Sequence, residues 1–246
     1  MIHLEELRLY LRISQSNVYI DGARLYDQFL VDMTRLNKFT FSIHTKLIDH
    51  DVATNMPTSE DIQRSFIDKE YQQQVTAHVY NELNREGGRC HMYSIPYDFE
   101  YFDLIVSFQG GIFAKVRHLT MHSIAPFKER FLQLISQSFP FVEYLSVSNH
   151  YSLEEKQDSS ILLQFAHLTT LDLYCTHTNY VEELLLKKNA HLPRLLDLRV
   201  RNVSLMKITN NFTAQPNLFN FQTVKNLDVH QSFVRSENFH EYFPLL

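Results

Sequence analysis

The chain is poor in the residues that mark several large classes of protein. Its 246 residues include two cysteines, five glycines, seven prolines and no tryptophan. Cys90 and Cys175 are too few for a disulfide framework, and this sparse use suits a reducing compartment. No apolar run approaches the roughly 18 residues that a membrane-spanning helix needs. The sequence therefore predicts neither a disulfide scaffold nor a membrane span.

An excess of positive charge is also missing. Lysine and arginine total 23 residues against 28 aspartates and glutamates, and the net charge is −5. A chain of this balance has no general attraction for nucleic acid or anionic lipid. The first residues have neither the basic start nor the apolar core of an export signal. We therefore expect a protein of the cytoplasm or the nucleus.

The sequence motifs of common enzyme classes are missing as well. Neither C-x-x-C nor H-E-x-x-H occurs, and there is no G-x-S-x-G or G-x-x-x-x-G-K. His118 and His122 lie four residues apart on a predicted strand, which separates them by about 13 Å at about 3.3 Å per residue. One metal ion could not bind both. We predict no catalytic residue, no cofactor and no metal site.

What the chain does contain is a repeated phrase of the form L-x-x-L-x-L. Copies 26 to 29 residues apart begin at Cys90, Val116, Val142, Leu168, Leu195 and Val224. Two earlier copies begin at Leu4 and Leu36, 32 residues apart. A repeat of this period is typical of a leucine-rich-repeat solenoid.

The predicted fold class is therefore α/β, an irregular leucine-rich-repeat solenoid over residues 1–246. Its curved parallel sheet would form the concave side and its helices the convex side. The fourth and sixth positions of each phrase point to one side of a strand, which we predict to be buried. Helix signals mark the links between strands. They lie at Pro126 with Phe127 and Phe131, Asn179 with Glu182, Ser152 with Glu155, 23–32 and 237–243.

The period is lost between residues 47 and 88, where we expect an insertion or a degenerate repeat. Residues 59–66 have the pattern of a short helix, and residues 75–80 alternate like a strand. A hairpin that joins this strand to the one containing Cys90 is the preferred prediction. One continuous helix over 59–85 is the alternative. Because both ends of the chain resemble the inside of a repeat array, we also expect a fragment of a longer protein.

Function would lie on the strand positions that alternate with the buried ones. These third, fifth and seventh positions of the phrases would form the concave surface, and their charges are balanced. Aromatic and hydrogen-bonding side chains concentrate in the middle of this surface, as they do in protein-binding interfaces. The candidate protein-binding residues are His118, His122, Tyr144, Asp172, Tyr174 and Arg199. The alternative is a solvated sheet face without a partner.

Several phrases resemble those of a known family. Phe139-Pro-Phe-Val-Glu-Tyr-Leu-Ser-Val and His191-Leu-Pro-Arg-Leu-Leu-Asp-Leu-Arg-Val resemble the P-x-L-x-x-L-x-L units of leucine-rich F-box proteins. Residues 89–121 look like the repeat region of a divergent group of F-box domain-containing proteins. In that family an N-terminal F-box contacts a cullin-type ubiquitin ligase through an adaptor, and the repeats recruit the substrate.

The resemblance implies a non-enzymatic module that recruits a protein substrate to a ubiquitin ligase. No F-box is visible before Leu4, so contact with the ligase adaptor would need an upstream segment. A leucine-rich-repeat scaffold or sensor unrelated to ubiquitin is the first alternative. An enzyme with a site within residues 47–88 is the remote one. We expect no nucleic acid or membrane partner.

Overall fold

The computed structural model describes twelve strands and six α-helices in most of the chain. The described residues are 4–16, 18–47, 57–67, 74–81, 88–104, 108–123, 125–127, 129–152, 162–230 and 233–246. The strands are β1 (Glu6–Ser16), β2 (Lys38–Leu47), β3 (Gln74–Asn81), β4 (Gly88–Ile95), β5 (Tyr101–Leu104), β6 (His118–His122), β7 (Tyr144–Ser148), β8 (Leu163–Gln164), β9 (Thr170–Asp172), β10 (Ala190–His191), β11 (Asp197–Arg201) and β12 (Asn226–His230). The helices are α1 (Gly22–Leu25), α2 (Ser59–Ile67), α3 (Glu129–Ser138), α4 (Thr178–Leu185), α5 (Asn202–Ile208) and α6 (Phe239–Tyr242). A π-helix, Tyr26–Leu30, continues α1, and a short 3₁₀ helix spans Pro216–Leu218.

The structure is a mixed α/β fold, and the predicted leucine-rich-repeat solenoid is wrong. The chain divides into two compact units, one formed by the described residues of 1–99 with Phe108 and the other by 100–104 and 109–246. The phrases that begin at Leu4, Leu36 and Cys90 lie in a four-stranded mixed sheet of the first unit. The other five lie in a six-stranded sheet of the second unit. The phrases therefore do not stack as one continuous parallel ladder.

The four-stranded sheet has the order β1-β2-β4-β3. β1 and β2 run parallel, whereas β4 is antiparallel to both β2 and β3. This explains the failed prediction, since an L-x-x-L-x-L phrase specifies a strand with one apolar side but not the direction of its neighbour. The link between two strands decides that direction: β3 returns to β4 as a hairpin, and a hairpin can only be antiparallel.

Within residues 47–88 the finer predictions succeed. The helix predicted at 59–66 is α2, and the predicted hairpin is the antiparallel β3–β4 pair, so the single helix over 59–85 is excluded. Thr58 caps α2: its Oγ1 accepts a hydrogen bond from the Asp61 amide at 3.1 Å, and its own amide donates to the Asp61 carboxylate at 3.0 Å. The Thr58 hydroxyl also donates to the Asp61 carboxylate at 2.7 Å, and this bond, with the one from the Thr58 amide, lowers the pKa of Asp61.

One side of the four-stranded sheet packs on the helices of the first unit. Phe41 and Ile43 from β2 and Met92 from β4 are each 1% exposed in this core, which also contains residues of α1, the π-helix and α2. Gly22 of α1 lies so close to α2 that a Cβ atom there would approach the Phe66 backbone to 2.8 Å. The helix predicted at 23–32 is confirmed as α1 and the π-helix.

The six-stranded sheet has the order β12-β11-β9-β7-β6-β5, and each of its strands runs parallel to the next. The phrases keep a common register. The fourth positions are Leu119, Leu145, Leu171, Leu198 and Leu227, each opposite the next along the row. The first four of these leucines are at most 2% exposed. The prediction that the fourth and sixth positions are buried is therefore confirmed for these strands up to the last one, β12.

The links between these strands match the helix signals in part. The helix predicted after Pro126 is α3. The helix predicted near Asn179 is α4, but its N-cap is His177, whose ring nitrogen accepts from the Asn179 amide at 3.3 Å. The helix predicted from Ser152 would extend to Phe165, but Phe165 follows the short strand β8 and is not helical. The rest of the helix predicted from Ser152 falls largely outside the described residues, and the predicted 237–243 helix is the shorter α6.

Candidate functional site

The six-stranded sheet carries polar and aromatic side chains on the side opposite its buried leucines, and we call this side the exposed face. Parallel pairing brings the third phrase positions into one row and the fifth positions into another. The row of third positions, which we call the third row, is His118, Tyr144, Thr170, Asp197 and Asn226, and Tyr101 of β5 extends it. The row of fifth positions, the fifth row, is Thr120, Ser146, Asp172, Arg199 and Asp228, and Asp103 of β5 extends it. Except for the buried Asp103, these residues are partly or fully exposed. The site is therefore a surface fixed by strand register.

Three rings lie side by side at the β5 end of the exposed face, and we call them the aromatic row. The Tyr101 and His118 rings stack with centroids 4.5 Å apart and planes 14° apart. The His118 and Tyr144 centroids are 5.8 Å apart. Tyr101 is 50% exposed. Because each ring rests on its neighbour, the row offers rigid apolar area that needs little ordering on binding.

Tyr101 was not among the predicted site residues, because β5 carries no L-x-x-L-x-L phrase. A weaker signal was present: Phe102 and Leu104, 2% and 1% exposed, alternate with Tyr101 and Asp103 as in any strand with one buried side. Four residues with this alternation are too short to distinguish from chance. Pairing with β6, which sets Tyr101 opposite His118, was visible only in the structure.

Arg199 lies at the centre of a second group, which we call the charge cluster. Its guanidinium is 3.5 Å from the Asp172 carboxylate on one side and 3.0 Å from that of Asp228 on the other. It also lies over the Tyr174 ring, 5.0 Å from the centroid. The Tyr174 amide donates to Asp172 at 3.0 Å. Two carboxylates and one ring thus hold a single cation on a partly exposed surface.

All six predicted site residues lie on or at the end of this sheet, but they divide into groups. His118 and Tyr144 belong to the aromatic row, and Asp172, Tyr174 and Arg199 belong to the charge cluster. His122 ends β6 opposite Ser148. On the same three strands as the charge cluster, the Asp197 carboxylate accepts from the Asn226 side chain at 2.6 Å and from the Thr170 hydroxyl at 3.5 Å. A partner that covers both groups would meet a rigid aromatic end and a charged end.

The polar side of the four-stranded sheet has a different character, because it is largely buried. The Ser42 hydroxyl is 3.0 Å from His91 Nε2 and 3.2 Å from the Tyr97 hydroxyl. Next to them, His78 Nε2 and the Tyr93 hydroxyl are 3.1 Å apart. Burial lowers the pKa of His78 and raises that of Tyr93. We call these five residues the buried polar cluster.

A serine beside a histidine can serve as a nucleophile with its base. Here Ser42 is 1% exposed and His91 is 2% exposed, so a substrate could not reach the Ser42 hydroxyl. Among the described residues, no group of three histidine, cysteine or carboxylate side chains is placed to hold a metal ion. The chemistry of the buried polar cluster therefore fits a structural role: it satisfies polar groups inside the first unit.

Cys90 lies on the core side of the same sheet. Burial, with a smaller contribution from Asp21, raises the pKa of its thiol to about 12. A thiol reacts as its thiolate, so Cys90 has the properties of a small apolar core residue. Cys175, by contrast, is only partly buried.

No family model, no curated protein and no solved structure matches this chain. Where the structure describes the chain, no helix is both long enough and apolar enough to cross a bilayer.

Proposed function

We propose that this chain is a non-enzymatic protein-interaction module and that the exposed face binds its partner. The observation that carries the proposal is the aromatic row, in which Tyr101, His118 and Tyr144 stack on a rigid sheet and stay accessible. Aromatic side chains contribute a large share of the energy at protein interfaces. The charge cluster next to it would orient the partner through paired charges.

A more specific role follows from the sequence resemblance. In that proposal the module recruits a protein substrate to an F-box-type ubiquitin ligase in the cytoplasm or the nucleus, and an upstream F-box contacts the ligase adaptor. The segment of closest resemblance, 89–121, contributes β4 to the first unit and β5 and β6 to the second, so it is not one structural repeat. A scaffold or sensor unrelated to ubiquitin is the alternative. Copurification of a cullin adaptor with the full-length gene product favours the ligase.

The binding proposal can be tested at the aromatic row. The double variant His118→Ala/Tyr144→Ala removes two rings whose side chains are half-buried, so the melting temperature should change little. Loss of two aromatic contacts should weaken partner capture about tenfold or more. The measurement is quantitative affinity capture from a cell extract, with the wild-type chain and the variant as paired baits.

Val203→Ala is the matched control, because Val203 is 69% exposed and lies on α5, outside the exposed face. A photo-crosslinking residue at Tyr101 should also trap the partner that the double variant loses, whereas one at Val203 should not. Equal capture by the wild type and the double variant would place the binding surface elsewhere.

A further inference from the structure

The last strand of the six-stranded sheet leaves part of its apolar side open. Leu198 and Val200 of β11 are 2% and 0% exposed, whereas Leu227 and Val229, their partners on β12, are partly exposed. Among the described residues β12 ends the sheet, so the backbone groups on its far edge are available for pairing. A cavity of about 150 Å³ adjoins these side chains. It is lined by Leu227, Val229, Phe233, Arg235, Phe239 and Leu246.

The charges on the exposed face indicate which residues a strand paired to the open edge of β12 should carry. Along the fifth row, Asp172, Arg199 and Asp228 alternate in sign from β9 to β11 to β12. Opposite charges on adjacent strands stabilise a sheet, and like charges destabilise it. The Asp228 side chain is 62% exposed. A strand added to this edge would therefore place a cation beside Asp228, with apolar residues on either side of it in sequence.

The chain itself contains such a strand at the open edge of its other sheet. β1 ends the four-stranded sheet among the described residues, and its Leu7-Arg8-Leu9 has the required order. Leu7 and Leu9 are partly exposed, like Leu227 and Val229. Arg8 pairs with Asp98 at 3.1 Å, but its side chain is 52% exposed. Its guanidinium has five N–H donors, so it can contact a second carboxylate.

The two open edges also have matching directions. β1 and β2 are parallel strands joined by a crossover whose helices share the apolar core of the first unit. β11 and β12 are also parallel, and the crossover between them contains α5, which buries Leu205. Because such crossovers are right-handed, each following strand lies on the same side of the one before it. The open edge of β1 is thus the side on which a preceding parallel strand would lie, and the open edge of β12 is the side on which a following strand would lie. Joining them continues a parallel sheet with both apolar sides facing the same way.

We infer that a second copy of the chain adds its β1 to the open edge of β12. In the shared phrase register, Leu7 lies opposite Leu227, Arg8 opposite Asp228 and Leu9 opposite Val229. The contact joins two different surfaces, so copies assemble head to tail and can grow beyond a dimer. This self-association uses the sheet edges and is independent of the partner proposed for the exposed face.

Sedimentation velocity on the whole chain, over a wide range of concentrations, tests the inference. The average mass of the wild type should rise with concentration. Arg8→Asp or Asp228→Arg alone places like charges opposite each other and should weaken association about tenfold or more. The double variant Arg8→Asp/Asp228→Arg reverses both charges and should restore it.

Arg12→Asp is the matched control, since Arg12 is exposed on β1 but lies beyond the five-residue register of β12. Circular dichroism of every variant checks that the chain is folded. A wild type that is monomeric at all concentrations would overturn the inference, as would charge reversals that neither weaken nor restore association. A monomer that binds a synthetic Leu-Arg-Leu peptide would assign the edge to another protein and would also overturn it. Association that persists in the His118→Ala/Tyr144→Ala variant separates this result from the binding proposal.

Discussion

The two main sheets alternate apolar and polar rows in the same way, but their polar sides differ in burial. In the four-stranded sheet Ser42, His91 and Tyr93 are at most 2% exposed. In the six-stranded sheet the polar side remains accessible, with Tyr101 50% exposed. The same strand pattern thus yields a hydrogen-bonded interior in one unit and an accessible polar surface in the other. Alternation in a strand shows that its two sides differ, but not that the polar side meets water.

The segment after β4 accounts for much of the difference. Tyr97 packs on Tyr93 with ring centroids 5.3 Å apart and bonds to Ser42 through its hydroxyl. Phe99 lies 5.6 Å from Tyr97 and 5.7 Å from Tyr10, between ring centroids. These aromatic residues cover the polar side of the four-stranded sheet. A buried hydroxyl or imidazole must find a partner, which explains why this side is a hydrogen-bonded cluster.

The largest expected effect is a substitution that destabilises the second unit but leaves the first unit folded. Leu171→Asp places a carboxylate at a position that is 0% exposed in the middle of the six-stranded sheet. Lost packing and a buried charge should cost about 4 kcal/mol or more. Hydrogen exchange should then lose protection in β7, β9 and β11 while β2 and β4 keep theirs. Leu171→Met is the control and should cost less than about 1.5 kcal/mol. Equal loss of protection in both sheets would refute the division into separate units.

An intermediate effect should come from pH and should appear in the first unit. Burial lowers the pKa of His78, so the folded state favours the neutral ring. The pKa of a free histidine is about 6.5, and below it the unfolded chain binds a proton that the folded chain resists. The stability contributed by neutral His78 is therefore full above this pH and is lost as the pH falls toward the lowered folded value. Hydrogen exchange of β3 and β4 across this range measures it.

His78→Gln is the matched variant, since glutamine can still bond to Tyr93 but does not titrate. Its β3 and β4 amides should lose less protection on acidification than those of the wild type. The same pH slope in both proteins would show that His78 is not responsible.

The smallest effect is expected at the charge cluster. Arg199→Ala removes two ion pairs, but the arginine side chain is 46% exposed and solvent screens its charges. Each pair should contribute less than about 1 kcal/mol to the free energy of unfolding. Denaturant titration at low and high salt checks this, since salt should reduce the difference from the wild type. A loss well above this value, unaffected by salt, would mean that the cluster is structural like the buried polar cluster.

Local features of the fold were predictable because local interactions decide them. The pattern of residues 59–66 predicted α2, and the apolar stripe after Pro126 predicted α3. The hairpin of β3 and β4 followed from the alternation of residues 75–80 just before the strand that contains Cys90. The six candidate residues lie on or at the end of one sheet, and the phrase register sets which side of its strand each residue faces. Tyr101 was missed because its strand is short and lacks the phrase.

The sequence alone determined where apolar side chains recur and therefore which strand positions are buried. Leu119, Leu145, Leu171 and Leu198 follow from a period of 26 to 27 residues. Tertiary structure alone decided which strands became neighbours, in which direction and in how many sheets. The physical reason is that burial requires only a covered apolar side, and parallel or antiparallel neighbours supply that cover equally well. It likewise decided that Tyr97 covers one polar side while the aromatic row stays open on the other.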